Sequence, residues 1–221
     1  MAVDMEFSQN TELVQIKNPK KQHGVIARAA MLLKKGELVA FPTETVYGIG
    51  ALALDRQAVE RLYAAKNRPA GKAFSLQIAD MDMLQQVAAY VPRMARRLME
   101  RFCPGPITVI LPKAANVTEL VTGGRNTVGI RIPDNAVALA LLKAVGAPLA
   151  VPSANISGHM SPTDAVQVYG DMAGRLSMIL DGGSCSIGRE STIVDCTGSR
   201  PVIIRQGAIL ESEIMMVLEQ Y

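Results

Sequence analysis

Six stretches of the 221-residue chain place small or polar side chains beside glycine or proline at the ends of apolar runs. They are FPTETVYGIG (41–50), KNRPAGKAFS (66–75), PGPITVIL (104–111), TVGIRIPD (127–134), VPSANISGHMSPT (151–163) and GRESTIVD (188–195). Together they supply hydroxyls (Thr43, Thr45, Ser153, Ser157, Ser161, Ser191, Thr192), an amide (Asn155) and cations (Lys66, Arg68, Lys72, Arg131). Arg205, closing the later run PVIIR, adds a further cation. Strand termini are where α/β sheets present ligand groups, and backbone N–H groups near glycines form nests for anions. The pattern points to a site for an anionic ligand. Lys66, Arg68 and Lys72 fall within seven residues with no acid among them, on a chain bent by Pro69 and Gly71.

Each stretch also has a plain structural reading. PTETVYG reads as a strand-to-turn transition, and KNRPAGK as a solvated helix end whose Lys66 offsets the helix C-terminus. Arg131, inside an apolar strand, needs a partner, because an unpaired buried charge is costly; Asp134 and Glu44 are the internal choices. PSANISG reads as an Asx-turn loop, and Arg205 can reach solvent.

Other chemistries lack their residues. No GxxxxGK[ST] occurs, and YGIGAL has only two of the three glycines of a dinucleotide fingerprint. The two histidines, His23 and His159, stand in no HExxH and no Cys/His cluster, so no metal site made wholly of protein ligands is expected. A Ser–His–Asp triad would have to use one of them, with His159 near Ser153 or Ser157 as the local option. The odd, scattered cysteines Cys103, Cys185 and Cys196 argue against a disulfide framework and for a reducing compartment. Apolar residues are 49% and charged residues 19%, a globular composition. Net charge is +3, aromatics are 4% and Trp is absent, which disfavours base stacking on an aromatic platform. The N-terminus carries early acids and no apolar h-region, and no apolar run approaches the roughly 20 residues of a membrane span. The expected chain is soluble and cytoplasmic, with no membrane partner.

The elements that must position these loops follow from periodicity. TELVQI reads as a strand within an N-terminal arm (1–20). Val25, Ile26, Ala29, Leu32 and Leu33 mark a helix over 22–35. Strands are expected at ELVAF, AFSLQIA, ITVIL, TVGIRI, APLAV, LSMIL, STIVDC and PVIIR. Further helices are expected over 55–65, 80–90, 92–102, 135–145, 163–170 and 211–219. The mixture gives an α/β fold: a twisted open mixed sheet with flanking helices, some of its C-terminal strands antiparallel. No linker divides it, so one domain over 1–221 is expected.

Taken together, FPTETVYGIG, KNRP, PGPITVIL, VGIRIP, PLAVPSANISG and ESTIVD resemble the YrdC-type threonylcarbamoyl-AMP synthases, from about Val25 to about Leu210. The resemblance implies a YrdC-like, DHBP synthase-like fold with a concave basic cavity. It implies a nucleotidyltransferase that converts L-threonine, bicarbonate and ATP to threonylcarbamoyl-AMP and pyrophosphate. The product would supply threonylcarbamoyl-transferase proteins that modify tRNA next to the anticodon. PSAN at Pro152–Asn155 favours the synthase branch.

By position, the resemblance implies ATP contacts at Lys66, Arg68, Ala70, Lys72, Thr127, Ser153, Asn155, Ser161 and Arg205. It implies L-threonine contacts at Thr43, Ser75, Arg131, Val151 and Ser191, with Lys66, Arg68 and Arg131 carrying catalysis. The loop departs from the commoner family form, which has Asn-Pro before the strand, and this bears on Ala70 and Ser75. Mg²⁺ is expected to arrive with ATP, with no protein metal ligand. The rival reading is a non-catalytic module of the same fold that binds tRNA or double-stranded RNA directly through its basic face.

Overall fold

The structure, a computed structural model, describes residues 10–219. Residues 1–9 of the expected N-terminal arm lie outside the described residues.

The elements run in chain order as β1 (Glu12–Gln15), α1 (His23–Lys34), β2 (Val39–Phe41), β3 (Gly48–Leu52), α2 (Arg56–Ala65) and β4 (Leu76–Gln77). A 3₁₀ stretch (Met81–Gln86), α3 (Arg93–Phe102), β5 (Ile107–Pro112), α4 (Glu119–Thr122), β6 (Thr127–Arg131) and α5 (Ala136–Val145) follow. The chain ends in β7 (Leu149–Ala150), α6 (Ala165–Met172), β8 (Met178–Asp181), β9 (Thr192–Asp195), β10 (Val202–Arg205) and α7 (Glu211–Glu219).

Among the described residues the strands form one mixed sheet in the order β1-β8-β2-β3-β7-β4-β6-β5-β9-β10. The pairs β1/β8, β2/β8, β4/β6 and β5/β9 are parallel, and the other neighbours are antiparallel. β9 and β10 pair antiparallel, as their clustering in sequence suggests, but β8 leaves that cluster and inserts between β1 and β2. Helices α1 and α5 pack on one another, α2 packs on β3, α3 on β5 and α7, and α6 on β8.

Local chemistry accounts for the helix ends. Asp55 accepts from the N–H groups of Gln57 and Ala58, and Asn135 from those of Val137 and Ala138, satisfying donors that a helix start leaves free. In α1 the buried residues Ile26, Ala29, Ala30 and Leu33 recur at helical spacing on one face.

Several elements differ from the sequence expectation, among them the short helix α4, which it did not include. The helix expected over 80–90 is only the 3₁₀ stretch. Asp80 caps it through the Met83 N–H (3.2 Å), but Ala89 then donates to the Pro112 carbonyl (2.9 Å), and this sheet-like pairing draws the chain out of the helix. The strand expected at AFSLQIA narrows to Leu76–Gln77, and α6 starts after its cap Asp164 rather than at Thr163. GIGAL is a strand that its small residues conceal. A Cβ on Gly48 would stand 2.5 Å from Val151 Cγ1, so this glycine allows β3 to approach the 151–155 loop. It serves packing and not a dinucleotide fingerprint.

Candidate active site

Loops from distant parts of the sequence close around one cavity of about 230 Å³. Eight of the residues singled out from sequence line it: Thr43, Arg68, Ser75, Arg131, Val151, Ser153, Ser191 and Arg205.

Arg131, at the end of β6, is 6% exposed. Its Nη2 lies 2.8 Å from Oε1 of Glu44, which is 5% exposed, and donates to Thr45 Oγ1 at 2.8 Å. Nε donates to the Gly105 carbonyl at 3.3 Å. The internal partner is thus Glu44 and not Asp134. The angle to Glu44 gives charge contact without a hydrogen bond, so both Glu44 oxygens lack a donor. The hydroxyls continue the chain. Thr45 and Thr43 share a contact of 2.9 Å, and Thr43 donates to the Val46 carbonyl at 2.6 Å. With the Thr43 proton committed there, Thr45 is the donor to Thr43. The chain of hydrogen bonds from Arg131 through Thr45 and Thr43 to the Val46 carbonyl therefore fixes the PTET turn against β6.

Lys66 terminates α2 and is 1% exposed. Its Nζ donates to the carbonyls of Ser153 (2.5 Å) and Asn155, while Ser157 N–H donates back to the Lys66 carbonyl at 2.9 Å. Lys66 does not line the cavity. It ties the KNRP and PSAN loops together. Burial, and then the neighbouring Arg68 charge, push its pKa down to about 7.

Arg68 does reach the cavity. Its Nη2 donates to the Ala73 carbonyl (2.8 Å), and its guanidinium lies 4.8 Å from the Phe74 ring centroid. It has no carboxylate partner among the described residues. Ser75 follows on the same wall.

A β-bulge sets the opposite wall. Ile203 pairs with Val194 but Arg205 pairs with Ile193, so the register shift turns Arg205 to the Ile193 face, which lines the cavity. Arg205 donates to the Ser191 carbonyl from Nε (3.1 Å) and Nη2 (2.9 Å), and pairs with Glu190 through Nη1. Ser191 and Thr108 hydroxyls meet at 2.9 Å.

The remaining sequence candidates lie off the lining. Ala70 and the Lys72 side chain are exposed on the bend, where the Lys72 carbonyl accepts from Arg68 Nε and from the Tyr63 hydroxyl. Thr127 shares the face of Arg131 but stands roughly 13 Å further along β6 at strand rise. The Asn155 amide donates to the carbonyls of Ile156 and His159 and shapes its own loop. Ser161 reaches the site only through Glu190. His159 pairs with Asp171 at 2.7 Å and not with Ser153 or Ser157.

Sequence reasoning assigned no role to Gln77, Thr108 or Glu190, all of which line the cavity. The first two left a signal: each is a polar residue in an otherwise apolar strand, and each is buried. Gln77 stands beside Arg131 in the parallel β4/β6 register, and its Oε1 has no hydrogen-bond partner.

A family model for Sua5/YciO/YrdC, described as telomere recombination, matches residues 31–207. The chain belongs to the Sua5/YciO/YrdC family. Within the family it is 47% identical to a threonylcarbamoyl-AMP synthase of Bacillus subtilis (strain 168), over 87% of this chain and 56% of that protein. The chain thus spans about half the length of the curated relatives it matches first. A crystal structure of P. abyssi Sua5 complexed with L-threonine superposes with a TM-score of 0.89 at 43% identity, covering 94% of this chain and 60% of that one. The crystal structure of E. coli YciO gives a TM-score of 0.79 at 30% identity, covering 90% and 95%. The mixed sheet with flanking helices is therefore the Sua5/YciO/YrdC fold, as the sequence resemblance implied.

Proposed function

We propose that this chain is an L-threonylcarbamoyladenylate synthase, which joins L-threonine, bicarbonate and ATP into threonylcarbamoyl-AMP and releases pyrophosphate and water. The observation that carries this reading is the cavity itself. It concentrates Arg68, Arg131 and Arg205 with the hydroxyls of Thr43, Ser75, Ser153 and Ser191, and no described histidine lines it. Two relatives add support, the synthase of B. subtilis and the L-threonine complex of the P. abyssi protein.

The chemistry suits such a lining. ATP and the N-carboxylated threonine that reacts with it are both anions, and bringing each pair of like charges to ~4 Å costs about 4 kcal/mol at an effective dielectric near 20. Guanidinium groups offset that repulsion. Nucleotidyl transfer then depends mainly on alignment and charge neutralisation, and it needs no histidine base. In this reading Arg131 takes the threonine carboxylate, for which a planar guanidinium is suited. Arg68 and Arg205 take phosphates. Lys66 acts by holding the PSAN loop, so that Ser153 faces the nucleotide. Mg²⁺ enters as MgATP. Glu190 is the only carboxylate on the described lining and is already paired, so phosphates and water would complete the ion's coordination. The product would pass to proteins that transfer threonylcarbamoyl groups to tRNA.

The test is direct. The protein is mixed with MgATP, bicarbonate and radiolabelled L-threonine, and pyrophosphate and a labelled adenylate are expected. Absence of any threonine-dependent product would refute the synthase reading. RNA binding that weakens steeply with salt, in a protein making no such product, would point to the RNA-binding module instead.

A further inference from the structure

Glu190 is the odd member of the cavity, a carboxylate among three arginines. Both of its oxygens are occupied. Oε1 accepts the Ser161 hydroxyl at 2.8 Å, and Oε2 pairs with Arg205 Nη1. The backbone is held at the Glu190 carbonyl. Ala208 N–H donates to the Glu190 carbonyl at 3.1 Å, and a Cβ on Gly207 would stand 2.4 Å from that same oxygen. Arg205 is pinned as well, through its bonds to the Ser191 carbonyl and a 3.2 Å bond to Ser191 Oγ. The part left to move is the Glu190 side chain.

The contrast with Arg131 is informative. Its partner Glu44 is buried and does not line the cavity, so a ligand entering the cavity does not compete with it directly. The Arg205–Glu190 pair is 40% and 38% exposed, and ion pairs in that setting are weakly held and exchange readily. Two donors, one hydroxyl and one guanidinium, converge on the carboxylate as they would on the oxygens of an anionic ligand.

We propose that Glu190 is a displaceable counter-anion. In the free protein it occupies the donors at this end of the cavity. An incoming polyphosphate takes Ser161 and Arg205 Nη1 in its place, and the carboxylate rotates out. After transfer, its return to Arg205 competes with the pyrophosphate and speeds its departure. This inference rests on the nucleotide reading given above. Glu190 is a positioning residue here, acting through Arg205 and Ser161.

The experiment measures Kd for ATP and for pyrophosphate by calorimetry at low ionic strength, with and without Mg²⁺. The full chain is compared with Glu190→Gln, Glu190→Asp and Glu60→Gln. The last removes an equal charge from exposed α2, where Glu60 pairs with Arg56. Without Mg²⁺, Glu190→Gln should bind both ligands about tenfold tighter than wild type, because a competing and repelling charge is gone. Glu190→Asp and Glu60→Gln should stay within about threefold of wild type. In turnover, Glu190→Gln should lower both KM for ATP and kcat, with product release slowed. Unchanged or weaker metal-free binding in a Glu190→Gln chain that melts like wild type would overturn the proposal. So would a loss confined to Mg²⁺, which would make Glu190 a metal ligand. If no chain binds ATP, the nucleotide reading falls together with this one; if wild type binds ATP and Glu190→Gln matches it, this inference alone falls.

Discussion

Arg131 and Lys66 are both buried cations, and their surroundings assign them different work. Arg131 is held from three sides, by Glu44, Thr45 and Gly105, which leaves Nη1 without a partner among the described residues. A lysine cannot span those three contacts. Arg131→Lys should therefore cut threonine-dependent turnover at least ~100-fold, with ATP affinity less affected, as separate titrations of the two substrates would show. Lys66 gives a pH signature. The unfolded lysine titrates near 10.4 and the folded one near 7. Between those values the unfolded chain binds more protons, so Lys66 makes stability rise with pH, by up to about 1.4 kcal/mol per unit. Below pH 7 both states are protonated and the contribution is flat. Burial raises the thiol pKa values of Cys103, Cys185 and Cys196, which acts in the opposite direction at higher pH. The measurement is thus the difference in unfolding free energy between wild type and Lys66→Met, which should grow from pH 7 to 8.5. A difference independent of pH would contradict the assignment.

At the scale of elements, the cavity depends on close backbone approach. Gly207 faces the turn before β9, and a Cβ there would stand 2.3 Å from Ser191 C and 2.4 Å from Thr192 N. Those are backbone atoms that cannot rotate away. Gly207→Ala should cost roughly 1–3 kcal/mol in urea unfolding, the usual range for overpacking, and should move Ser191 and Arg205 off their common wall. The β10 bulge is the second device of this kind. It turns Arg205 inward from a strand whose neighbours Val202 and Ile204 are exposed. The sequence marks neither device. PVIIR alternates like an ordinary edge strand, and a glycine fourteen residues beyond Ile193 carries no local sign that it touches the GRESTIVD loop.

At the scale of the whole molecule, the site exists only when the sheet is assembled. Its lining runs from Thr43 to Arg205, and β2, β4, β5, β6 and β9 each bring one loop or end to it. Ligands that bridge those walls should stabilise the entire fold. A ligand at 100 times its Kd adds about 2.7 kcal/mol to folding stability. MgATP and L-threonine together should therefore raise the melting temperature by more than either alone, and by more than ATP with L-valine. Equal shifts for all of these additions would argue against one shared cavity.

Most of the helices and part of the site's inventory are legible in the sequence, although the strand GIGAL and the lining residues Gln77, Thr108 and Glu190 are not. Periodicity placed α1, α2, α3, α5 and α7, and capping residues marked where helices begin, because those signals are local. The recurrence of small polar and basic residues beside glycine and proline picked out Thr43, Arg68, Arg131, Ser153, Ser191 and Arg205 on the cavity lining, and the family resemblance added Ser75 and Val151. How those residues divide the work depends on contacts between distant segments. Lys66 turns away from the cavity because two carbonyls of the PSAN loop lie within reach of its ammonium, and the sequence separates them by 87 and 89 positions. Glu44, and not the nearer Asp134, takes Arg131, because the PTET turn folds over the end of β6. Strand order was equally hidden: β8 joins β1 and β2, while β9 joins β5. Side-chain periodicity reports which face of a strand is buried. It carries no information about which neighbour buries it, and that choice rests on packing summed over the whole sheet.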